Sequence, residues 1–169
     1  MSHLSRENAV RDLVFLSYSH QDKRFLDELL TQLKPYLRTG ITAWSDRQIH
    51  PGSLWFDEIK AALGKTSAAV MLVSPDFLAS DFIHEHELGP LLKEAEAGGV
   101  TILWVLIRDC SWKEPSLSDY HAVVSPPDKP FASLTKAKRD TAWRTVCEEI
   151  KRATRRPQTA HRNPPAPHR

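Results

Sequence analysis

The stretch AAVMLVSP, residues 68–75, decides the fold. Residues 68–73 are apolar without interruption, and Ser74-Pro75 stops them. A short apolar run with no polar alternation fits a strand buried on both faces, and such strands belong to parallel sheets. Outward from it the pattern repeats. Leu13-Val14-Phe15-Leu16 runs into Ser17-Tyr18-Ser19, residues 41–44 form a short run, and VTILWVLI spans residues 100–107. Residues 121–124 add a short fifth strand.

The intervals between these runs have helical spacing. Phe25, Leu26, Leu29, Leu30 and Leu33 share one helical face, and Gly40 follows as a stop. Trp55, Ile59, Ala62 and Leu63 give the next helix its apolar side, ended by Gly64. Residues 77–97 read as helix with a break near residues 79–81 and a kink or restart at Gly89-Pro90. Residues 136–152 are helical through Ala142, Val146 and Ile150. Alternating strands and helices at this spacing predict a single α/β domain. The expected architecture is a flavodoxin-like, five-stranded parallel sheet with helices on both faces. Ligands bind such sheets beyond the carboxyl ends of the strands. That rule selects residues 17–22, 45–52, 74–80 and 108–112.

The chain has 169 residues with 23 Lys+Arg and 21 Asp+Glu. Near-neutrality argues against a uniformly basic nucleic-acid binder, and a hydrophobic fraction of 41% supports a real core. The charge is unevenly placed. Residues 151–169 hold six bases and no acid, which leaves 17 bases against 21 acids in residues 1–150. The expected organisation is a loose arm over 1–10, a folded domain over 11–153 and a basic, proline-bearing tail over 154–169. No apolar stretch approaches the roughly 20 residues of a membrane span, and no signal peptide is evident. With only Cys110 and Cys147, a disulfide scaffold is not expected, and a reducing cytoplasm is the simpler setting.

Several chemical motifs are missing, among them G-x-G-x-x-G, Walker A and G-x-S-x-G. His84-Glu85-His86-Glu87 is not H-E-x-x-H, and two side chains on one face are too few for a tight metal site. Glu87 is the more informative member. Ile83 and Leu88 can anchor its helix and fix where it points, although a solvated carboxylate paired with Lys93 or a histidine also fits. Asp46 lies just beyond Trp44 on a ligand-edge loop, and Trp55 follows Pro51-Gly52. An aromatic and a carboxylate there can stack a planar ring and hold a ribose or an ammonium group, while the same tryptophans also suit the core.

Three motifs in order resemble the TIR (Toll/interleukin-1 receptor) domain, in its bacterial form. They are DLVFLSYSHQD at residues 12–22, WSDRQIHPG at residues 44–52 with Trp55, and LVSPDFLASDFIHEHEL at residues 72–88. The resemblance covers about residues 10–153 and implies the same flavodoxin-like sheet. It implies one of two functions. Some TIR domains are non-catalytic modules that signal, or interfere with host signalling, by docking on other TIR domains. Others cleave NAD+ between nicotinamide and ribose, using one glutamate in a Glu-Leu pair on the helix after the third strand. Glu87-Leu88 matches that pair, with Glu85 as second choice.

The resemblance further implies that Phe15, Ser17, Tyr18 and Ser74 flank the nucleotide. It assigns Asp46, Pro51, Gly52 and Trp55 to the loop that covers the site or mediates assembly. NAD+ is then a substrate, and no resident cofactor or metal is implied. Activity is expected to depend on self-association through TIR–TIR contacts, with other TIR-domain proteins as further partners and neither nucleic acid nor membrane involved. The implied product is nicotinamide with ADP-ribose or a cyclic isomer, in bacterial anti-phage defence or signalling. Two positions depart from the family's pattern. Ile83 stands where many relatives carry Trp, and Ser19-His20 stand where relatives often carry Arg or Lys.

Overall fold

The computed structural model describes residues 12–45, 55–114, 117–123 and 129–155. Five strands form one sheet: β1 (Leu13–Ser17), β2 (Thr42–Trp44), β3 (Thr66–Val73), β4 (Thr101–Leu106) and β5 (His121–Ala122). Their order is β2-β1-β3-β4-β5, and every neighbouring pair is parallel. This is the expected flavodoxin-like sheet, with β3 at its centre.

All eight residues of β3 are buried. Alternation divides them between two cores. Ala68, Val70 and Leu72 face α1 (Lys23–Leu37) and α6 (Lys136–Arg155), which supply Phe25, Leu26, Leu29 and Leu33, and Trp143, Val146 and Ile150. Ala69, Met71 and Val73 face the other side. There they meet Ile59 and Ala62 of α2 (Trp55–Lys65) and Phe77 of α3 (Pro75–Ala79). Ile83 of α4 (Asp81–Ile83) and Leu91 of α5 (Gly89–Glu96) complete that layer. Each large apolar side chain so buried contributes ~1.5–3 kcal/mol.

β3 starts earlier than the apolar run. Its first residues, Thr66 and Ser67, are buried but polar. They fit because the Thr66 hydroxyl donates to the Ala62 carbonyl at 2.7 Å and Ser67 donates to the Leu13 carbonyl at 3.4 Å.

The stretch after β3 bears the candidate site. Ser74 caps α3, accepting from the Phe77 amide at 3.1 Å. Ser80, with extended backbone, ends α3 and caps α4, accepting from the Ile83 amide at 3.3 Å. A π turn follows at His84–Leu88, closed by the Gly89 amide on the His84 carbonyl. The expected restart at Gly89-Pro90 is therefore present, and proline chemistry explains its form. Pro90 cannot donate, and its ring would clash with the carbonyl four residues back in a regular helix; a wider turn relieves both. Glycine suits position 89, where a Cβ would lie 3.3 Å from the His84 oxygen.

α6 extends to Arg155. The expected arm over 1–10 and residues 156–169 of the expected tail lie outside the described residues. No helix among the described residues is long and apolar enough to cross a membrane.

Candidate functional site

Glu87 sits in the π turn and is 1% exposed. The reading of it as a solvated carboxylate is thereby overturned. The first two residues of the turn differ. His84 and Glu85 are exposed, and Glu85 lies 3.8 Å from His86. Glu87 instead turns towards the end of β1, where Ser17 Oγ donates to Glu87 Oε2 at 3.2 Å. A buried carboxylate is costly without such donors. Strand alternation aims Ser17 correctly: Leu13, Phe15 and Ser17 share a face, and this face meets the helices that carry Glu87.

Phe15 is fully buried on the same face, with its ring 5.0 Å from that of Trp44 at the end of β2. Trp44 is half-buried, so the core reading fits it in part. Tyr18 points to the opposite face. It is 3% exposed, packs 5.5 Å from the His20 ring, and borders a cleft of about 500 Å³ with His20, Lys23 and Asp27. Trp55 begins α2; its side chain lies outside the described residues, as do Asp46, Pro51 and Gly52. A second cleft, of about 350 Å³, is lined by Phe77, Leu78, His84, Leu88, Ser111 and Glu114, beside the Glu87 turn.

Ser74 is fully buried and belongs to a cluster that motif reading missed. While capping α3, its hydroxyl donates to Asp22 Oδ2 at 2.5 Å. Asp22 is 2% exposed at the start of α1. Its other oxygen accepts from Arg108 Nε at 3.3 Å, and Arg108 also pairs with Asp76 through Nη2. The hydrogen bond to Asp76, then the charges of Asp22 and Asp76, raise the Arg108 pKa against the opposing effect of burial. The ligand-edge rule had selected each segment, 17–22, 74–80 and 108–112. Only the topology joins Asp22 to Arg108, which are 86 residues apart.

The carboxyl edge of the sheet thus gathers a closed-in carboxylate with a hydroxyl donor, and a second buried carboxylate with its own cation. The first can hold hydroxyl groups and stabilise developing positive charge on a neighbouring ligand. The second is fully engaged within the protein.

Known proteins share the sequence pattern and the fold. The chain is 30% identical over 143 residues to an uncharacterised protein, y4lF, of the bacterium Sinorhizobium fredii. That match covers 79% of this chain and 44% of y4lF, so the chain spans less than half of that relative's length. The fold matches the crystal structure of the TIR domain of the Toll-related receptor TRR-2 from Hydra magnipapillata, with TM-score 0.54 and 21% identity. The match covers 82% of this chain and 97% of the Hydra domain. The profile of the TIR domain matches residues 14–136, a span that includes Ser17, Asp22, Ser74, Glu87 and Arg108, and the chain belongs to the TIR-domain family.

Proposed function

We propose that this TIR domain cleaves NAD+ at the bond between nicotinamide and ribose, with Glu87 as its catalytic carboxylate. The observation that carries the reading is the burial of Glu87 against Ser17 at the ligand edge, at the position of the family's Glu-Leu pair. In the reaction the C1′–N bond breaks and its electron pair goes to nicotinamide, which leaves neutral. The ribosyl group becomes oxocarbenium-like. Glu87 holds the ribose hydroxyls and stabilises that charge, as carboxylates do in glycoside hydrolysis. Nicotinamide is already a good leaving group, so one carboxylate suffices. Attack by water gives ADP-ribose; attack by a nitrogen of the adenine gives a cyclic isomer. Defence against phage is the setting the family resemblance implies.

One observation favours a second reading. Glu87 is closed off in the single chain, at 1% exposure. Substrate access then requires the site to open, which self-association through TIR–TIR contacts would provide; a module that only docks on other TIR domains needs no opening. Chromatography of NAD+ incubated with the protein over a range of protein concentrations separates the two. The catalytic reading predicts nicotinamide release that rises more steeply than linearly with protein concentration and is abolished in Glu87→Ala. Tight self-association without turnover at any concentration supports the docking module instead.

A further inference from the structure

The segment that delivers Glu87 is fastened to the turn after β1 at two points. At its far end Glu87 accepts from Ser17. At its near end Ser74 donates to Asp22. Between them run two short helices in series, each started by a serine cap, Ser74 and then Ser80. Short capped helices have little stability of their own, so their placement follows from where the ends are tied. The residues at both ends, Ser17, Asp22, Ser74 and Glu87, are at most 2% exposed. Water therefore competes poorly for these bonds.

We propose that Asp22 is a positioning residue for Glu87, acting through Ser74 and held in place by Arg108. Its carboxylate is suited to this because each oxygen has a different task. Oδ2 accepts from the hydroxyl that starts α3, and Oδ1 accepts from the guanidinium at the end of β4. The ends of β1, β3 and β4 are thereby locked to one group, and the first turn of the Glu87 segment cannot drift from the strand that carries Ser17. Asparagine fills the same volume but cannot accept from both partners. With its oxygen on the guanidinium, its amide takes the place of the oxygen that accepts from Ser74, so the Ser74 hydroxyl loses that acceptor and Arg108 loses the charge it pairs with. The hydrogen bonds of Asp22 go to Ser74 and Arg108, so its influence on Glu87 is exerted through geometry. Where it concerns turnover, this inference rests on the catalytic reading of Glu87.

The test is a double-mutant cycle on stability, which needs no enzymatic activity. Denaturant unfolding is measured for the wild type, Asp22→Asn, Ser17→Ala and the double variant. If Asp22 positions Glu87, releasing it also loosens the Ser17–Glu87 bond, and Ser17→Ala then costs less. The double variant should have an unfolding constant at least about threefold smaller than additivity predicts. Additive effects would overturn the proposal, since a merely structural Asp22 acts independently of Ser17. Should Asp22→Asn fail to fold, Arg108→Met replaces it in the same cycle, with the same two outcomes; Arg108 is 38% exposed and its loss leaves both cores intact. In a nicotinamide-release assay Asp22→Asn should lower kcat by roughly tenfold or more with KM little changed. A raised KM with kcat unchanged counts against positioning. Absence of turnover in the wild type removes the catalytic reading and leaves the stability cycle to decide the role of Asp22.

Discussion

Glu87 and Cys147 are both buried, and their surroundings make them opposites. Glu87 has a hydroxyl donor from Ser17 at the ligand edge. Ser17→Ala removes that donor and leaves a carboxylate oxygen less well satisfied, which costs ~1–3 kcal/mol. A lower denaturation midpoint with an unchanged m-value is expected. Cys147 is 1% exposed among the apolar residues between α1 and α6. Burial, and then the charge of Glu148, push its thiol up to about 12. Only roughly one molecule in ten thousand carries the thiolate at pH 8. Native protein treated with iodoacetamide at that pH should stay unmodified at Cys147 by mass spectrometry, and denatured protein should be modified. Rapid native labelling would mean that this helix face opens.

At the scale of elements, the seam between α1 and α6 joins an apolar core to a polar clasp. Trp143 is fully buried with its ring edge-on to Phe131 at 4.5 Å, and its indole donates to Glu28 at 2.9 Å. Trp143→Ala should cost ~3–5 kcal/mol by the cavity it leaves. Glu28 also takes Arg139 Nε and Nη2, each at 3.1 Å at its closest. Burial alone would raise the Glu28 pKa, but the hydrogen bonds from Arg139 and Trp143, helped by the charges of Arg139 and Arg24, hold it below the ordinary value. A lowered carboxyl pKa in the folded state contributes stability above the unfolded pKa of about 4.3, and that stability is lost as pH falls through the folded value. Glu28→Gln should therefore melt ~1–2 kcal/mol less stably at pH 7, with the gap to wild type closing in the acid range below about pH 4. A gap that is constant with pH would show that the charge of Glu28 contributes nothing.

Across the whole molecule, the strand segments that hydropathy reveals are those with nothing polar to place. Residues 13–16 of β1, 68–73 of β3 and 102–106 of β4 are legible as unbroken apolar runs. The start of β3 is not, because Thr66 and Ser67 satisfy their hydroxyls on local carbonyls and are buried all the same. The break at Ser80 is legible from local composition; the π turn is not, since it depends on Pro90 acting on the turn before it. Glu87 is legible as half of a Glu-Leu pair, and its burial is not. Asp22, Ser74 and Arg108 come together only when β1, β3 and β4 lie side by side, which no local pattern encodes.

The proposed NAD+ cleavage rests on the Glu87 carboxylate. The most direct measurement is the rate of nicotinamide release from NAD+ at high protein concentration, for the wild type and for Glu87→Gln, which keeps the side chain's shape and removes its charge. Release by the wild type is expected, with a loss of roughly a hundredfold or more in a Glu87→Gln protein that still unfolds cooperatively. Equal rates for the two proteins would contradict this expectation.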